Sequence, residues 1–300
     1  MISIVIPTYK RFESLTATLK SLNAQTLSDF EVVVVNDDPE SKVQIDGTEY
    51  KYALKILNNS QNLGAAGARN RGVRESKGEW IAFLDDDDFF LPDKLEYLTS
   101  KIKEHPDVQF FYHPILYEFV NEGVKYETTP NVIAKPEDVL TANIIGGPPG
   151  FFIRKDVFLS LNGFDVDMVA LEDYEFVIRI VRGNIKTMFL SVALSRCQAI
   201  TRSIGLSKSV NKIQEALRYL DNAYQNEYKQ LAPHLDRKRK ANGAVQVGFA
   251  YLLNLQRKAG NYYLRAFLHS FDLKYLVAAG LSWLNPTFLI KMKGRMSGSK

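Results

Sequence analysis

The chain has 300 residues, 46% of them hydrophobic and 24% charged, the balance of a globular protein long enough to bury one large core or two modest ones. Its one cysteine, Cys197, excludes an internal disulfide framework and fits a reducing compartment, and with only four scattered histidines it also argues against a zinc site. The formal charge is +4, yet residues 234–300 hold twelve lysines and arginines against Asp236 and Asp272, a net of +10 that leaves −6 for the rest, so one end of the molecule suits an anionic partner surface.

Residues 2–7 form an unbroken apolar run and predict a strand; the basic leader and apolar core of an export signal are missing, so a cytoplasmic location is expected. Leu15, Leu19 and Leu22 give residues 14–24 helical spacing. Residues 31–35 predict a second strand, 62–73 a helix, 80–84 a strand, 93–103 a helix and 108–112 a strand. This alternation predicts an α/β domain with a mainly parallel sheet, whose central strands read as continuous Val/Ile runs because both faces are buried. Residues 114–170 are less regular; the turn-rich residues 146–150 border a strand at 151–154. Residues 172–181 predict a helix. Thr201, Arg202, Ser203, Gly205 and Ser207 then break the pattern, and the remainder reads as helical nearly to its end. The expected division is an α/β domain over residues 1–205 and a basic helical region over 206–300. Cys197 follows an apolar run and reads as a buried small hydrophobe.

In open α/β sheets, ligands sit beyond the carboxyl ends of the strands. Three strand ends carry polar residues suited to one ligand: Thr8, Tyr9 and Arg11; then Asn36, Asp37 and Asp38; then Asp85, Asp86, Asp87 and Asp88. Four adjacent carboxylates repel, which raises their pKa values or loosens the fold. A hard divalent cation shared with substrate phosphates resolves the conflict. A solvated acidic turn is the other reading of the tetrad alone.

The motifs, taken in order, resemble those of family 2 glycosyltransferases. They are Ser3-Ile4-Val5-Ile6-Pro7-Thr8-Tyr9, Val34-Val35-Asn36-Asp37-Asp38, Asn62-Leu63-Gly64-Ala65-Ala66-Gly67-Ala68-Arg69-Asn70, Phe83-Leu84-Asp85-Asp86-Asp87-Asp88, Gly163-Phe164-Asp165 and Glu172-Asp173, spread over residues 1–205. The resemblance implies a GT-A, Rossmann-like fold. It also implies a metal-dependent, inverting transfer from a nucleotide-diphosphate sugar, with a UDP-sugar as the expected donor. The implied acceptor is a hydroxyl of a glycan or lipid-linked saccharide, in bacterial surface polysaccharide synthesis of the O-antigen type.

The resemblance also carries residue roles. Asp37 is implied to accept a hydrogen bond from the base, as a carboxylate does from uracil N3–H. Pro7, Thr8 and Tyr9 line the base and ribose, Tyr9 either stacking or simply packing. Asp38-Pro39 replaces the family's Gly-Ser pair at this turn. Arg11 faces either the diphosphate or solvent. Arg69 lies near the nucleotide, where it pairs with phosphate, braces the acidic cluster or sits in a structural salt bridge. Asp87 is the implied ligand of Mn²⁺ or Mg²⁺, with Asp85 and Asp86 on the sugar or ribose or one layer behind. Asp173 is the implied general base, and Gly147, Gly150 and Glu172 lie beside the donor sugar and acceptor. Many relatives place a metal-supporting histidine downstream; around Thr201-Arg202-Ser203 there is none, leaving Arg202 for the phosphates or the metal on Asp87 and substrate alone.

Two other classes stay open. A sugar-phosphate nucleotidyltransferase also joins an α/β domain to Mg²⁺, but Pro7-Thr8-Tyr9-Lys10-Arg11 lacks the glycines of its N-terminal loop. A catalytically idle, membrane-associated scaffold would keep the fold without the reaction. Residues 275–284 are apolar but short of the roughly 20 residues that span a bilayer. With Trp283 and flanking Lys274, Lys291, Lys293 and Arg295 they read as an interfacial helix on the anionic inner face of the cell membrane, or as a helix packed on the domain with a solvated basic face. No nucleic-acid module is present, so nucleic acid is not an expected partner.

Overall fold

The computed structural model describes residues 1–133, 135–203 and 205–297. The first half alternates as expected: β1 (Ile2–Thr8), α1 (Phe12–Leu22), β2 (Phe30–Asn36), β3 (Ala53–Asn58), α2 (Gly64–Glu75), β4 (Trp80–Phe83), β5 (Phe89–Phe90) and α3 (Lys94–Glu104). Then come β6 (Phe110–Tyr112), β7 (Ile115–Phe119), β8 (Val124–Glu127), α4 (Pro136–Thr141), β9 (Phe151–Arg154), α5 (Lys155–Ser160), α6 (Glu172–Arg182), β10 (Thr187–Phe189) and β11 (Ser195–Ala199). Helices α7 (Val210–Ala223), α8 (Gln225–Gln230), α9 (Pro233–Leu253), α10 (Ala259–Ser270), α11 (Leu273–Leu284) and α12 (Pro286–Ser297) follow.

Among the described residues the strands form two sheets. The larger runs β10-β6-β9-β4-β1-β2-β3, parallel except for β9, which is antiparallel to both neighbours. The smaller runs β5-β11-β7-β8. The fold is thus α/β with a mostly parallel central sheet, flanking helices and a helical C-terminal part.

Each predicted strand and helix named above lies within two residues of its observed ends. Two readings need correction. The sequence predicts no strand over residues 53–58, yet β3 extends the sheet beyond β2. Its Ala-Leu-Lys-Ile-Leu-Asn run lacks the β-branched density of a central strand because it is an edge. The irregular middle also holds β7 and β8, which pair antiparallel across a tight turn and join β11 to build the second sheet.

Two cores lie on opposite faces of the large sheet. Leu15, Leu19, Val32 and Phe152 belong to one. The other gathers Phe83, Phe158, Phe164 and Phe176 with ring centroids 5.0 to 5.5 Å apart. Burying each such ring contributes about 1.5–3 kcal/mol. Ile213 and Leu220 of α7 and Val247 of α9 join this second core, so the C-terminal helices pack directly on the α/β body. Gly72 brings α2 close to the sheet: a Cβ there would sit 2.4 Å from the Val5 side chain. The same helix turns Asn70 toward the Gly163-Phe164-Asp165 motif. Asn70 donates to the Phe164 carbonyl at 2.7 Å and accepts from its N–H at 2.8 Å, while Gly163 takes the left-handed φ of +67° that this reciprocal pair requires.

Candidate active site

The strands β1, β2 and β4 end side by side, and their carboxyl ends bring Thr8, Asp37 and the aspartate tetrad to one edge. After β4 the chain turns, the Asp88 N–H donating to the Asp85 carbonyl at 3.1 Å. The tetrad alternates in and out. Asp86 and Asp88 are buried, whereas the side chains of Asp85 and Asp87 stay 34% and 38% exposed. Asp86 accepts from the Thr8 hydroxyl at 2.7 Å and from Arg11 at 3.2 Å. Asp88 accepts from the Gln198 N–H at 3.0 Å. The Thr18 hydroxyl donates to the Asp86 and Asp88 carbonyls and locks the turn on α1. Burial raises Asp86 to about 6 even against Thr8 and Arg11. Burial also raises Asp87 and, more strongly, Asp88.

The two outward carboxylates each hold one ion pair. Asp87 accepts from Arg11 at 2.8 Å and Asp85 from Arg69 at 2.6 Å. Each keeps its second oxygen outside that pair. Among the described residues, no group of three or more His, Cys, Asp or Glu side chains is disposed to hold an ion alone. The donor set therefore suits a hard cation that takes one or two carboxylates here and fills its shell with phosphate oxygens. Asp86, expected on the sugar, on the ribose or one layer behind, is buried beneath Thr8 and Arg11. Arg11 is exposed and pairs with both Asp86 and Asp87.

Asp37 is buried. Its Oδ1 accepts from Asn59 Nδ2 at 2.6 Å and from the Leu63 N–H at 2.8 Å. One oxygen is thus fixed at the entry to α2, and the other accepts from none of the described residues. Pro7 and Thr8 precede it in the neighbouring strand, and Tyr9 is exposed at the strand end.

Arg69, buried on α2, ties the two acidic motifs together: one terminal nitrogen donates to Asp85 and the other to Glu172 at 2.8 Å. Both ion pairs of Arg69 go to these carboxylates, and its guanidinium is buried. Glu172 and Asp173 open α6 after Leu171, whose φ is +60°, and acids in a first turn are favoured by the helix dipole. Glu172 is committed to Arg69. Asp173 forms no ion pair among the described residues, and its Oδ2 accepts a long hydrogen bond, 3.5 Å, from Asn143 Nδ2. A Cβ on Gly147 would lie 3.3 Å from the same oxygen, so the glycine lets the loop close on the carboxylate. Burial, then the charge of Glu172, pushes Asp173 up to about 7, with Arg69 opposing. Such a carboxylate can exchange a proton near neutral pH.

Four side chains around the site escape sequence reasoning. Asn59 and Asn143 orient Asp37 and the 146–150 loop, Asn143 binding the Gly146 carbonyl at 2.9 Å. Lys94 is fully buried under that loop. Its ammonium donates to the Pro149 carbonyl and to Ser195 Oγ, both at 2.9 Å, and lies 3.7 Å from the centre of the Phe90 ring. Burial pulls its pKa well below the usual lysine range. His113, also buried, sits 2.7 Å from the Pro114 carbonyl through Nδ1, and the Gly150 carbonyl accepts from its N–H at 3.2 Å. The Lys94 signal was present as a misfit, a lysine one turn before Leu98 on the apolar face of α3. Gly150 is pressed against His113: a Cβ there would meet the His113 carbonyl at 2.9 Å. Arg202 is exposed.

A family model described as glycosyl transferase family 2 matches residues 3–159. An uncharacterised glycosyltransferase of Haemophilus influenzae is 33% identical over 98% of this chain and 99% of its own. The Escherichia coli UDP-Glc:alpha-D-GlcNAc-diphosphoundecaprenol beta-1,3-glucosyltransferase WfgD is 28% identical over 74% of this chain and 84% of its own. The crystal structure of S. aureus TarS in complex with UDP-GlcNAc shares the fold, with a TM-score of 0.55 at 17% identity, covering 94% of this chain and 91% of that one. The ordered motifs, the strand-end site and these matches agree: the chain belongs to glycosyltransferase family 2 and is a glycosyltransferase of GT-A fold.

Proposed function

We propose that this enzyme moves a sugar from a UDP-sugar to a hydroxyl of a lipid-linked saccharide, with inversion, at the inner face of the cell membrane. The observation that carries the reading is Asp173. Its carboxylate accepts one long hydrogen bond from Asn143, is pushed up to about 7 by burial and the charge of Glu172, lies beside a glycine loop and is joined through Glu172 and Arg69 to the tetrad. Asp173 takes the proton of the acceptor hydroxyl as that oxygen attacks the anomeric carbon. The bond from that carbon to the diphosphate breaks, and its electron pair leaves with the nucleotide. One in-line displacement inverts the centre, and a positioned base contributes about 10²–10⁴-fold.

Asp37 reads the base, its fixed Oδ1 leaving the second oxygen for the uracil N3–H. Pro7, Thr8 and Tyr9 line the base and ribose. Asp87, with Asp85 beside it, would hold Mn²⁺ or Mg²⁺, which when bound neutralises charge on the leaving diphosphate. Arg11 meets the same phosphates from the other side of Asp87. Gly147 and Gly150 shape the wall beside the donor sugar and acceptor. A UDP donor is supported by TarS, which was crystallised with UDP-GlcNAc, and by the UDP-Glc activity in the name of WfgD. The latter name also supports a lipid diphosphate carrier. Residues 1–205 act as the catalytic unit and 206–300 as a basic helical region. Calorimetric titration with UDP-GlcNAc and UDP-Glc tests this: Mn²⁺ should tighten binding about tenfold or more, and Asp87→Ala should remove the gain. Binding of neither nucleotide sugar, or binding indifferent to both Mn²⁺ and Mg²⁺, would overturn it.

A further inference from the structure

Helix α11 is turned outward. Its inward face packs Ala279, with Tyr275 and Ala278 beside it, on the core below; Ser282 is buried too, and among the described residues its hydroxyl has no hydrogen-bond partner. Its outward face carries Leu273, Leu276, Val277 and Leu284, spaced to fall on one side of a helix. Leu273 is 67% and Leu284 74% exposed. A helix serving only to cover a domain buries such side chains and exposes the serine.

Exposed apolar side chains also occur on the elements that flank α11. Phe271 ends α10 at a left-handed φ of +55° with its ring 68% exposed, a conformation that bulky residues rarely adopt. Leu268, one turn earlier, is exposed as well, and so is Phe288 on α12. Exposed large apolar side chains concentrated on three successive helices point to an interaction face.

The rim of this face has one sign. Arg265, Lys274 and Lys291 are exposed. Residues 259–300 contain six lysines and arginines and one acid, Asp272, which Lys274 already pairs at 2.7 Å. The side chains of Lys293, Arg295 and Lys300 lie outside the described residues. A second copy docking here would bring two basic rims together, which disfavours it. No helix among the described residues is long and apolar enough to cross a membrane.

We propose that the outward face of α10, α11 and α12 docks flat on an anionic lipid bilayer. The leucines and Phe271 enter the boundary between headgroups and acyl chains, and the basic side chains meet the lipid phosphates. This identifies the surface on which the proposed membrane location rests, and it needs none of the catalytic assignments.

Co-sedimentation of the full chain with vesicles tests it. Vesicles of phosphatidylglycerol and phosphatidylcholine should bind at least about tenfold more tightly than phosphatidylcholine alone, with the difference shrinking in high salt. Leu273→Ser/Val277→Ser/Leu284→Ser should weaken anionic binding about tenfold while melting and UDP-sugar affinity stay those of the parent. If that variant does not fold, Lys274→Glu/Lys291→Glu on exposed side chains should give about a fivefold loss or more. No binding to anionic vesicles overturns the proposal, as does unchanged binding by a folded variant. A dimer of the parent chain that the triple variant dissolves also overturns it, since the face would then join two copies. Vesicle binding is read without nucleotide, so loss of UDP-sugar binding alone would contradict the donor reading and not this one.

Discussion

Arg69 and Glu172 stand 103 positions apart in the chain and share a 2.8 Å ion pair that neither side chain carries into bulk solvent. The same guanidinium holds Asp85. The strand that delivers the tetrad and the helix that delivers Asp173 are therefore fixed to each other through one residue. Lysine cannot reproduce a two-armed bridge. Arg69→Met leaves two carboxylates without their cation and should cost about 3–5 kcal/mol, with Arg69→Lys between it and the parent. Thermal and urea denaturation measure the loss, and transfer should fall in the same order.

The pH response of Asp173 has a definite sign. Its carboxyl is raised to about 7 in the folded chain, against about 3.9 in an unfolded one. The native state therefore holds the proton more tightly. The group places no burden on stability below about pH 4, an increasing one between about 4 and 7, and the full one above that. Asp173→Asn, which cannot ionise, should melt above the parent near pH 8, keep a smaller advantage at pH 5 and converge with it only near pH 4. A melting series across that range checks the sign, and a constant offset would contradict it.

Asp37 should be separable from the chemistry. Asp37→Asn keeps an oxygen for Asn59 and Leu63 but replaces a charged acceptor with a neutral amide. Uridine nucleotide affinity should drop about tenfold, while the residual turnover at saturating donor stays close to that of the parent. Competition by UDP and by CDP, whose base offers no N3–H, reports the loss: the two should become similar in affinity.

Lys94 should act on the loop and not on the donor. Its two hydrogen bonds hold the Pro149 carbonyl and Ser195 beneath the segment that closes on Asp173. Lys94→Met removes both, leaving a buried carbonyl one donor poorer at a cost of about 1–3 kcal/mol. UDP affinity should be unchanged while transfer falls about tenfold or more. Gly147→Ala should show the same split, because its methyl meets the Asp173 carboxylate. Paired calorimetry and turnover measurements decide.

The legible parts of this protein are those with local causes. The Val and Ile runs of β1 and β2 announce strands buried on both faces, and both lie where the pattern puts them. β3 does not, because an edge strand carries Ala53 and Lys55 among its apolar residues. The tetrad is conspicuous in sequence, yet four identical residues hide their register. Only the turn, with Thr8 and Thr18 as anchors, separates inward Asp86 and Asp88 from outward Asp85 and Asp87. Arg69 is legible as a motif residue but its partner is not, since nothing local links it to Glu172. Lys94 is legible only as a lysine on the apolar face of α3; its partners on the 146–150 loop and β11 are not.

Single-turnover transfer by Asp173→Asn tests the central claim most directly. With a UDP-sugar and Mn²⁺ bound as tightly as in the parent, the variant should form product about 10²–10⁴-fold more slowly. Product formation at the parental rate would contradict the assignment of that carboxylate as the base.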